Sequence, residues 1–135
     1  MVSGALARDV VVLACAVSAG VHGALAPVHF AEGAGAGAGF VTATLLLAAL
    51  AVALTVSPSP YPLAGAATVL AALLGSYVLA TTTGLPVLHP EPEPVDALAL
   101  ATKAIEALGL LAAAGLLRRR SVAAPAFIHQ KGTLP

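Results

Sequence analysis

Charge is what this 135-residue chain has least of. Only 9% of its residues are Asp, Glu, Lys or Arg, whereas 59% are hydrophobic. A soluble domain carries about 25% charged residues to cover its surface, and this chain has no means of doing so. The same scarcity excludes intrinsic disorder, which needs low hydrophobicity and high net charge. Cysteine is nearly absent. Cys15 alone excludes an internal disulfide and a Cys-only zinc site. Tryptophan is missing, with 3 Phe and 2 Tyr, so the aromatic anchors usual at membrane interfaces are few. A net charge of +0 leaves no basic patch for nucleic acid. The class that remains is integral membrane protein.

Four stretches reach the roughly 20 apolar residues that a helix needs to cross hydrocarbon. They run over about 10–30, 34–56, 63–83 and 95–117. The breaks are marked by Ser57-Pro58-Ser59-Pro60-Tyr61-Pro62, by Gly84-Leu85-Pro86 and by the acidic His89-Pro90-Glu91-Pro92-Glu93-Pro94. Proline lacks the N–H and clashes with the preceding turn. The Ala/Leu/Val runs lack the period-two alternation of a membrane β-barrel. The expected fold is therefore an all-α, integral membrane four-helix bundle. Gly33 to Gly39 alternates Gly and Ala and reads equally as a loop or as the opening turns of the second span. If helical, Gly35 and Gly39 would form a small-xxx-small surface for close contact.

Lys and Arg mark the cytoplasmic side. Arg8 precedes the first span, Arg118, Arg119 and Arg120 follow the fourth, and no connector holds either residue type. Both termini are thus expected in the cytoplasm, which requires an even number of spans. The domain expectation is a four-span unit over 1–120 with a cytoplasmic tail over 121–135, in the cytoplasmic (inner) membrane of a bacterium. A removable signal peptide or a lipidated Cys15 is the rival reading of the start. Arg8 followed by an apolar stretch favours it, and Pro27 directly after Ala24-Leu25-Ala26 opposes it.

This topology gathers polar groups. The first and third connectors share the outer side and together hold His29, Glu32, His89, Glu91, Glu93 and Asp96. In span one, Cys15, Ser18, His22 and His29 fall on one helix face, which should point into the bundle because polar groups are costly against lipid. At about 1.5 Å per residue, His22, Lys103 and Glu106 reach similar depth. His22 is expected to face Glu106, with Lys103 able to pair with Glu106 along its own helix.

Three readings of the cluster follow. His22, His29, Glu32 and His89 supply imidazole and carboxylate for a transition metal, Zn, Cu or Fe, although no HExxH is present. His22, Lys103 and Glu106 form a proton or ion relay of the kind used in pumps. Alternatively the buried groups only fix helix register, as interhelical glue, in an accessory or scaffold subunit of a larger membrane complex or a homo-oligomer, with Glu91, Glu93 and Asp96 as a solvated outer acidic loop. Haem would need two buried histidines, and only His22 is deep. Catalysis has little support, since Cys15 and His22 lie about 10 Å apart by helical rise and no Gly-rich phosphate loop follows a strand.

His22-x6-His29-x2-Glu32, then Gly84-Leu85-Pro86 leading into Glu91-Pro92-Glu93-Pro94-Val95, with Glu106 in the last span, resembles small four-span proteins of high-GC actinobacteria. The likeness covers most of residues 10–120. Those proteins look to have Pro-Glu-His where this chain has Pro27-Val28-His29, and larger residues where it has the Gly-Ala run. The resemblance implies a four-span inner-membrane protein and no particular activity.

Overall fold

The computed structural model describes residues 3–57, 59–85 and 91–123. It is all-helical, with α1 over Gly4–Glu32, α2 over Ala34–Val56, α3 over Pro60–Thr82 and α4 over Ala97–Ala123. All four helices are long and apolar enough to cross a membrane, as in a small multi-pass membrane protein.

The helices outrun the hydrophobic stretches at ends where capping chemistry allows it. α1 opens at Gly4, six residues before the stretch expected from Val10, because Ser3 caps it by accepting the Leu6 N–H on its Oγ at 3.2 Å. α3 starts at Pro60, because prolines fit a first turn whose N–H groups have no intrahelical acceptor. Ser59 Oγ accepts the Tyr61 N–H there at 3.3 Å. Asp96 Oδ1 accepts the Ala99 N–H at 2.8 Å and caps α4. α4 then continues through Arg118, Arg119 and Arg120 to Ala123. Pro27 lies inside α1 and gives the Gly23 carbonyl no N–H, yet the helix carries on to Glu32.

Gly33 alone separates α1 from α2. Its N–H closes α1 on the His29 carbonyl at 3.0 Å, and its carbonyl accepts the Gly37 N–H at 3.1 Å to open α2. The Gly-Ala run is therefore helical. The packed glycine is Gly37, where the Phe30 ring occupies the space a Cβ would need. Gly35 and Gly39 are exposed, so the small-residue surface expected of them makes no contact within this bundle. Ala36, Gly37 and Ala43 are buried in their place.

Short links make α1, α2 and α3 successive antiparallel neighbours. α4 closes the ring by packing on both α1 and α3, while α1 and α3 meet only marginally across the diagonal. The core repeats at helical spacing: Val11, Cys15 and Ala19 on α1, Leu47, Ala51 and Leu54 on α2, Leu63, Ala66 and Leu70 on α3, and Ala113 on α4. One approach is unusually close. A Cβ on Gly109 would lie 2.5 Å from the Ala14 Cβ and 3.1 Å from Leu70 Cδ1. Only glycine lets α4 come this near α1, and that proximity sets up the polar centre one turn away.

Candidate functional site

Ser18 is one turn beyond Ala14 on α1, and Glu106 is one turn before Gly109 on α4. Where the two antiparallel helices nearly touch, Ser18 Oγ donates to Glu106 Oε1 at 2.6 Å. Both side chains are fully buried. Lys103 Nζ donates to the other carboxylate oxygen, Oε2, at 2.7 Å. These are short, charge-assisted contacts, and together they occupy both oxygens of a carboxylate held inside the bundle.

His22 extends the chain outward. Its Nδ1 is 2.8 Å from the Ser18 carbonyl and 3.3 Å from Ser18 Oγ. A carbonyl only accepts, so Nδ1 carries the hydrogen, and Nε2 is the ring's second exchangeable position. The order is then His22 Nδ1–H to Ser18, Ser18 Oγ–H to Glu106 Oε1, with Lys103, one turn nearer the start of α4, on Oε2.

Toward the outer end, Phe40 reaches from α2 against two imidazoles. Its ring is stacked on His29 with centroids 3.7 Å apart, and tilted against His22 at 5.1 Å. Beyond it His29 Nδ1 meets Glu32 Oε2 at 2.6 Å in the last turn of α1. Imidazole there also faces the negative end of the helix dipole. Between α4 and α3, Lys103 Nζ stands 5.6 Å from the centroid of the Tyr77 ring, within cation–π range. The buried Tyr77 hydroxyl has no hydrogen-bond partner.

The residues singled out in the sequence divide into groups. Lys103 and Glu106 pair as expected. His22 reaches the same centre, though through Ser18 and not by a direct bond to Glu106. His29 and Glu32 form their own pair nearer the end of the bundle. His89 lies outside the described residues. Among the described residues, no group of three or more His, Cys, Asp or Glu comes together in a way that could hold a metal ion. Of the outer acids, Asp96 serves as the cap of α4, Glu93 donates its backbone N–H to the Ala80 carbonyl at 2.9 Å, and Glu91 is exposed. Cys15 is buried in the apolar core.

Sequence reasoning put Ser18 on the right face without giving it a role, and it missed Phe40 and Tyr77. The available signal was the scarcity of aromatics. Phe40 is the one aromatic residue of α2, and α3 holds Tyr77 and, in its first turn, Tyr61. Comparison with protein-family models, with curated proteins and with solved structures finds no match to this chain.

Proposed function

We propose that the protein is a membrane-embedded proton-handling module in which His22 and Ser18 carry protons between the outer end of the bundle and the Glu106–Lys103 pair. The observation that carries this reading is the buried sequence in which His22 Nδ1 sits 2.8 Å from the Ser18 carbonyl and 3.3 Å from Ser18 Oγ, and that hydroxyl donates to Glu106 Oε1 at 2.6 Å. An ionisable group inside a membrane span is a functional-site hypothesis by default. Chemically, the Ser18 hydroxyl gives its proton to Glu106 Oε1 as it takes one from His22 Nδ1. His22 takes up the compensating proton at Nε2 and is left as the Nε2–H tautomer, so reset requires turning of the Ser18 hydroxyl together with loss of the Nε2 proton and return of one to Nδ1. Lys103 stabilises the carboxylate between transfers.

The path is one-sided. The buried polar side chains among the described residues are Ser18, His22, Thr102 and Glu106. None lies between Glu106 and the arginine-bearing end, where Val11, Leu54, Leu63 and Ala113 fill the core. From Glu106 to Arg118 is about 18 Å of helix. A proton delivered to Glu106 goes further only if a partner supplies the other half, which supports an accessory subunit of a larger membrane complex. Among the described residues the outer pair brings His29 and Glu32 to a transition metal, where zinc takes about four ligands.

The test is infrared difference spectroscopy on protein in nanodiscs after a pH step. A carboxylic-acid carbonyl band should appear in the wild type, vanish in Glu106→Gln and rise more slowly in Ser18→Ala. A wild type without the band, or a band that persists in Glu106→Gln, overturns the reading. Purification in mild detergent tests the subunit half. A monodisperse protein that never co-purifies with a partner removes it.

A further inference from the structure

The opposite end of the bundle holds a second feature that the polar chain does not use. All four helices contribute to a cavity of about 470 Å³ at the end where α1 and α3 start and α2 and α4 finish. Its apolar wall is built by Leu54, Leu63 and Leu116, and Arg8, Arg119 and Arg120 border it. The volume falls within the roughly 300–1,000 Å³ of small-ligand sites. Beside it, sharing Arg119, is a further cavity lined by Gly115, Arg118, Arg119 and Val122. Arginines thus line both cavities at this end of the bundle.

We propose that this cavity binds an anionic phospholipid, with the phosphate on the arginines and the start of an acyl chain against the leucines. Guanidinium matches phosphate in a two-pronged geometry. Basic pockets between membrane helices are recognised seats for anionic headgroups. The leucine wall decides between sources of phosphate, because a free anion gains nothing from burying apolar surface, whereas a lipid does. The start of α3 adds to the fit, since Ser59 lines the cavity at the positive end of that helix dipole.

The experiment is native mass spectrometry of the detergent-purified chain mixed with equal amounts of phosphatidylglycerol and phosphatidylcholine of the same acyl length. Phosphatidylglycerol should be retained preferentially, and its retention should fall about fivefold for each arginine neutralised in Arg8→Gln and Arg119→Gln. Ala5→Phe keeps every charge but fills the cavity, which Ala5 lines, and should lower retention to the phosphatidylcholine level. Circular dichroism confirms that each variant remains helical. A thermal shift produced by phosphatidylglycerol and not by inorganic phosphate completes the expected result. Equal retention of the two lipids, a preference that survives both the charge and the filling variants, or an equal shift with inorganic phosphate overturns the proposal; the last outcome identifies a free-anion site.

Discussion

Glu106 has no exposed surface and both its oxygens are occupied, so its neighbours are energetically linked. Removing one member of a buried ion pair costs about 3–5 kcal/mol, because the remaining charge is left uncompensated. Lys103→Met is therefore expected to destabilise the protein by that amount in mixed-micelle unfolding. Lys103→Met combined with Glu106→Gln should recover most of the loss. Ser18→Ala removes an interhelical hydrogen bond worth about 1 kcal/mol. Tyr77→Phe deletes a hydroxyl that bonds nothing and should shift stability by less than about 0.5 kcal/mol. Lys103 and Glu106 could be paired from their spacing of three, and His22 could be set near them from helical rise alone. The role of Ser18 was not legible. A hydroxyl within a span ordinarily returns to its own backbone one turn back, as Thr42, Thr44, Thr68 and Thr102 do here. Nothing in the sequence distinguishes the serine that crosses to another helix.

Between helices, the α1–α4 contact depends on the missing side chain at position 109. Gly109→Ala forces a Cβ to 2.5 Å from that of Ala14. Overpacking of this kind costs about 1–3 kcal/mol, and part of it should be regained in the Gly109→Ala/Ala14→Gly double variant, as measured by thermal unfolding in detergent. The same single variant should weaken the Ser18–Glu106 bond, because that bond spans the gap being widened. Helix number and approximate bounds were readable from apolar runs and proline breaks. The state of the Gly-Ala run was not, since neither residue carries a periodic signal. Which glycine packs is decided by the Phe30 ring folding back over Gly37, a contact that spacing cannot predict. The ends of α1 and α3 were missed for a different reason. A serine cap and first-turn prolines extend a helix past the point where hydropathy fades.

Over the whole molecule, the outside is as apolar as the inside. Leu13, Leu45, Leu108 and Leu111 are each more than 60% exposed, a surface that water would not tolerate and lipid would. Leu111 lies near the middle of α4, where a charged residue costs about 3 kcal/mol to insert. Leu111→Asp should reduce recovery in the membrane fraction, while Leu6→Asp, near the start of α1, should be tolerated. Topology is tested by reporter fusions. One placed at Gly33 and one placed after Arg120 are expected in opposite compartments, and the same compartment for both would refute the even-span arrangement.

The links between helices differ in length, and this bears on how a newly made chain comes together. Gly33 ties α1 to α2 as a preformed hairpin, and α3 follows after a link nearly as tight. The fourth helix trails on the longer tether from Thr83 to Asp96 and brings Lys103 and Glu106 with it. Until it packs on α1, the Ser18 hydroxyl lacks its Glu106 acceptor, while His22 already has the Ser18 carbonyl. The final helix therefore completes the polar centre, since Ser18 Oγ meets Glu106 only where α4 packs on α1.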